Sequence, residues 1–112
     1  MPRPEALRKM RPQLIADVLF YPTEQGGRRG PAYAGWGCPC SASRTSPWTG
    51  YDAWPLLDDD PINPGDRRRL GFVFLSDEGL ETMRRAGRFF LWELGFVGEA
   101  TVVEDWSSEV AE

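Results

Sequence analysis

The chain has 112 residues, 41% hydrophobic and 12% aromatic, with a formal net charge of −4 and no histidine. That length holds one domain with one core, and the apolar content argues against wholesale disorder. The acidic balance excludes a general attraction to nucleic acid or anionic lipid, and the commonest general base and metal ligand is missing.

Ten prolines and twelve glycines are spread along the chain, which suits short strands joined by turns. Charge is uneven: Arg3, Arg8, Lys9 and Arg11 stand against Glu5 at the start, while the end from Glu93 onward is strongly acidic. No apolar run follows the basic start, and no stretch is long enough to span a membrane. The expectation is a cytoplasmic, reduced protein, a monomer or weak oligomer, with no membrane partner, no cofactor and no metal.

In chain order, residues 1–13 read as a basic lead-in, residues 14–104 as a barrel domain and residues 105–112 as an acidic tail. Leu14 to Tyr21 predicts a strand with Val18 and Phe20 on one face and Leu19 and Tyr21 on the other. Gly26 and Gly27 open a turn, Arg28 and Arg29 follow, and Pro31 holds the exit extended. Tyr33 to Cys40 predicts a second strand, its far end demoted by Pro39 to an edge or bulge. After a polar loop, Trp48 to Trp54 predicts a third.

Leu57 to Gly65 is a loop carrying Asp58, Asp59 and Asp60. Arg67 to Leu75 predicts the clearest strand, with Leu70, Phe72 and Phe74 at period two. Ser76 to Ala86 has the cap and acidic first turn of a short helix, weakened by Gly79. Arg88 to Leu94 and Phe96 to Glu104 predict a closing hairpin about Gly95. Six strands without a helix of consequence describe a small all-β barrel or sandwich, and a barrel leaves no sheet face bare. The expected core is Val18, Leu70, Phe72, Phe74, Val102 and either Phe89 or Phe90.

These residues resemble the C-terminal (third) domain of translation elongation factor Tu. Ala16 to Pro31 follows that domain's opening strand and Gly-Gly-Arg-x-x-Pro turn without a gap. Tyr33, Gly35 and Trp36 match its aromatic, glycine and aromatic positions, and Pro64-Gly65-Asp66 matches its Pro-Gly-Asp turn. Arg88-Phe89, Glu93, Gly98 and Val102-Val103 track its closing hairpin. The resemblance implies a six-stranded antiparallel Greek-key barrel. It also implies partner contacts at the glycine-arginine turn and the closing hairpin. With no phosphate-binding loop, the chain is not the factor itself. Gly37-Cys38-Pro39-Cys40 replaces the charged and amide-bearing segment that the family turns toward transfer RNA.

Cys38 and Cys40 lack the two further ligands of a zinc site and the spacing of a redox dithiol. They read as half-buried thiols on an edge strand. The aspartate run reads as a solvated loop rather than a cation site, and Arg67 to Arg69 as a solvated turn. No serine or threonine has a histidine to activate it, so an enzyme is not expected. Arg28, Arg29, Tyr33, Trp36, Arg44 and Trp48 interleave arginine with aromatic residues. That pattern serves RNA through phosphate contact and stacking, or else places the rings in the core and the arginines in solvent.

The expectation is a non-enzymatic binding module for an RNA (transfer-RNA-like) or protein partner. Its contact residues are Arg28, Arg29, Tyr33, Trp36, Glu93 and Gly98. The alternatives are an immunity or inhibitor protein acting on a toxin or translation component, and an accessory domain of a separate catalytic chain.

Overall fold

The computed structural model describes residues 10–103. The first nine residues of the basic lead-in, Glu104 and the acidic tail 105–112 lie outside the described residues. Six strands form: β1 Leu14–Phe20, β2 Cys38–Ser41, β3 Tyr51–Pro55, β4 Arg67–Phe74, β5 Arg88–Trp92 and β6 Phe96–Val102. Between β4 and β5 lies one helix, α1, Asp77–Ala86. The strands close into an antiparallel barrel in the order β1-β4-β3-β2-β5-β6. Strands β2, β3 and β4 run as a meander, and β1 lies beside β4, which makes the Greek key.

Alternation drives the wall. In β1, Leu14, Ala16, Val18 and Phe20 point inward and are buried. In β4, Leu70, Phe72 and Phe74 do the same. Phe89 meets both phenylalanines edge-on, at 5.3 Å from Phe72 and 5.9 Å from Phe74. Phe89 is therefore the core residue of the pair left open by the sequence; Phe90 is half-buried. Val102 is half-buried and packs against the core.

Several expectations are corrected. The second strand does not begin at Tyr33, because the chain turns there. Trp36 N–H donates to the Tyr33 carbonyl at 2.9 Å, and Gly35 takes φ +98°. The Trp54 indole fills the space where Gly37 would carry a Cβ, so pairing starts only at Cys38. Pro39 sits where β2 pairs with β3 alone, and β5 joins at Cys40 opposite Leu91. The start of β2 is thus paired on one side only, as Pro39 suggests, yet Cys38 and Cys40 point into the closed barrel and are buried rather than half-buried. The third strand starts at Tyr51 rather than Trp48.

The helix is more substantial than expected. Ser76 Oγ accepts from Gly79 N–H at 3.0 Å, and Arg84 and Arg85 complement the last turn. A Cβ at Gly79 would lie 2.8 Å from Tyr51 Cβ, so the glycine that weakens the helix also lets it settle on the barrel. Met83 is buried beneath it. Among the described residues, no helix is long and apolar enough to cross a membrane.

The ring order places β1 and β2 on opposite sides of the barrel. Residues 21–37 must therefore cross its end. That crossing is pinned by the bridge between Ala32 and Ile62, both buried. It carries the glycine-arginine turn.

Candidate functional site: the glycine-arginine cleft and the adjoining wall

The crossing begins with a turn of 3-10 helix at Thr23–Gln25, ended by Gly26 at φ +94°. A Cβ at Gly27 would run into the Tyr21 carbonyl, so the close return of the backbone requires glycine there. Thr23 Oγ1 donates to the Arg28 carbonyl at 2.6 Å and holds the next segment in place.

Arg28 points back into the protein. Its Nε donates to Glu93 Oε1 at 2.7 Å, and its NH1 to the Gly30 carbonyl at 2.8 Å. Its guanidinium lies 5.4 Å from the Trp36 ring centroid. Trp36 donates its indole N–H to the other Glu93 oxygen at 3.0 Å and meets Phe20 edge-on at 5.5 Å. Burial pushes the Glu93 carboxyl up, but hydrogen bonds from Trp36 and Arg28, with the arginine charge, hold it below the ordinary carboxylate value.

Three residues singled out from sequence therefore converge: Arg28, Trp36 and Glu93. They satisfy one another, joining the crossing to the β5–β6 turn. Arg29 is different. It is exposed, and it makes no ion pair or hydrogen bond among the described residues. The backbone N–H groups of Arg28, Arg29 and Gly30 also donate no hydrogen bond among the described residues. A cleft of about 730 Å³ runs along residues 26–30 on one side and Glu93, Leu94 and Val97 on the other.

Tyr33 is 63% exposed and lies on the turn beyond the cleft lining. Gly98 is buried in β6 opposite Leu91 and Phe20, and a Cβ there would approach the Leu19 carbonyl to 2.9 Å. It belongs to the packed wall, not to the surface where a partner contact was expected.

On the other side of the β5–β6 turn is a group that sequence reading captured only through Arg44 and Trp48. Phe90 and Trp92 alternate with the buried Phe89 and Leu91, and so face outward. Trp48 packs against Trp92 at 5.7 Å and Phe96 at 5.2 Å. The Arg44 guanidinium lies 5.4 Å from the Tyr21 ring centroid and 5.7 Å from those of both Phe90 and Phe96. Tyr21 donates to Glu99 at 2.9 Å, and Arg88 donates to the same carboxylate at 2.7 Å. Burial raises the Glu99 carboxyl, yet those two bonds and the arginine charges hold it below its ordinary value. Burial and the neighbouring Glu99 push the Tyr21 phenol up. The missed signal was the second apolar face of residues 88–96.

The remaining candidates resolve locally. Arg69 grips Asp17 across β1–β4 with bonds of 2.8 and 3.2 Å, so the arginine run belongs to the strand and not to a turn. Arg68 donates to the Asp60 and Pro61 carbonyls and braces the aspartate loop. Among the described residues, no three or more His, Cys, Asp or Glu gather as a metal site would need. No family model matches the chain, and no curated protein matches it.

Proposed function

We propose that the chain is a non-enzymatic binding module of the elongation factor Tu third-domain type, working in the cytoplasm. Its partner is RNA, seated by its phosphates at the glycine-arginine cleft. The observation that carries this reading is Arg29: an exposed guanidinium at the cleft with no carboxylate partner among the described residues. Arginine grips a phosphate through two hydrogen bonds, and the unpaired N–H groups beside it add donors. The barrel supports the reading by holding the crossing rigid while its exposed side chains stay free to make contacts.

The overall charge of −4 favours a second reading, in which the module is an immunity or inhibitor protein, or an accessory domain, for a protein partner. Filter binding to bulk transfer RNA across a salt series separates the two. RNA binding that falls steeply with salt supports the first reading. Arg29→Ala should then weaken it by about 1 to 3 kcal/mol, the scale of a charged contact. No retention of RNA at low salt, with a protein captured from lysate equally with and without ribonuclease, supports the second.

A further inference from the structure

The outer wall of β5 and β6 carries more aromatic surface than its packing requires. Tyr21, Trp48, Phe90, Trp92 and Phe96 are all half-buried and contiguous, on a face that a barrel normally gives to polar side chains. Part of this surface anchors the 42–50 loop through Trp48. Arg44, from the same loop, adds a positive charge to the wall. It is exposed, forms no ion pair among the described residues, and sets its guanidinium beside three rings while donating to the Tyr21 hydroxyl at 3.3 Å.

We infer that this wall is a stacking platform for unpaired nucleotides of a single-stranded nucleic acid. Bases stack on aromatic rings and on guanidinium planes, and arginines at the rim meet the phosphates between them. An exposed guanidinium beside rings offers a base a further plane on which to stack. The local charge agrees: Arg44 and Arg88 stand beside Glu99, already bonded by Tyr21 and Arg88, and the turn's Glu93 is held by Arg28 and Trp36. The platform is also continuous with the cleft. Trp92 and Phe96 flank the turn whose Glu93 and Leu94 line it, so one strand crossing that turn meets Arg29 and the wall in succession. The inference rests on the RNA reading of the cleft and adds the form of RNA: unpaired rather than duplex.

The test uses the full chain, a fluorescein-labelled short oligouridylate, and a duplex RNA of the same length. Anisotropy should show the single strand bound at least about tenfold more tightly than the duplex, the scale of a single lost stacking contact. Tryptophan emission should be quenched on binding, since Trp48 and Trp92 lie on the wall. Arg44→Glu, at an exposed position, should lose about tenfold or more on the single strand. Arg44→Leu should lose less, because it keeps the apolar cover. Circular dichroism checks that each variant is folded. Duplex bound as well as the single strand, with Arg44→Glu indifferent, overturns the platform and leaves the RNA reading standing. Failure to bind either RNA at low salt removes both. Self-association in sedimentation, abolished by Arg44→Glu, assigns the wall to a second copy of the chain and also overturns the inference.

Discussion

Arg28 and Glu93, 65 residues apart in the chain, are joined by a 2.7 Å bond from Nε to Oε1. The arginine side chain is only 19% exposed and the glutamate 40%. Trp36 closes the arrangement from the carboxylate's other oxygen. The bond fastens the segment that crosses the barrel end to the β5–β6 turn, and it turns Arg28 inward while its neighbour Arg29 faces out.

Breaking that bond should cost stability before it costs binding. Glu93→Ala is expected to lower unfolding free energy by about 1 to 2 kcal/mol, since it strands a partly buried guanidinium and an indole N–H. Arg28→Ala should cost a similar amount, and the double variant less than the sum. Arg28→Lys should recover only part, keeping the charge without the fork. Urea denaturation of the wild type, the two alanine variants and their double measures the coupling; strict additivity would show that the pair is not a unit.

Acid should reveal the same group. The Glu93 carboxyl lies below its ordinary value of 4.5 in the folded chain, so the unfolded chain binds the proton more readily. Its contribution is present above that ordinary value and is lost as pH falls through the depressed folded value. Glu99 behaves alike. Melting temperature followed from about neutral to about pH 3 should drop on the acid side, and Glu93→Gln should flatten part of that drop. An unchanged acid limb in Glu93→Gln counts against the hydrogen-bonded carboxylate.

The core makes a sharper demand. Phe72 is fully buried between Phe74 and Phe89, and Phe72→Ala should cost about 3 to 5 kcal/mol. Gly98→Ala should cost about 1 to 3 kcal/mol through overpacking, because the added methyl meets Leu19, Phe20 and Leu91 at once. Equilibrium unfolding decides both. A neutral Gly98→Ala would mean that β6 can move away from β1 without penalty.

The thiols should be silent in the native state. Burial above all pushes the Cys40 thiol well above its ordinary value, with the Cys38 contact adding to it. Both cysteines are buried and unbridged. Alkylation in native buffer should proceed only as the barrel opens, whereas denaturant should release both thiols at once. Reductant should leave the melting temperature unchanged. Rapid native labelling of Cys40 would place it nearer the surface than the fold allows.

Local chemistry made the wall of this barrel legible in the residue order. The period-two patterns of Leu14 to Phe20 and Arg67 to Phe74 name their buried faces without reference to any neighbour, and Ser76 announces its helix by its own side chain. The spacing of a pattern cannot choose between two apolar faces. Residues 88–92 offer Phe89 and Leu91 on one side and Phe90 and Trp92 on the other, and only closure of the ring decided which pair went inside. The same closure buried Cys38 and Cys40 by turning both side chains into the barrel. It also carried residues 21–37 across the barrel end to Glu93. Arg28 and Arg29 are adjacent and chemically identical, and the Gly-Gly-Arg-x-x-Pro resemblance singles out Arg28 as the contact; the tertiary structure instead placed a carboxylate within reach of Arg28 and open cleft beside Arg29.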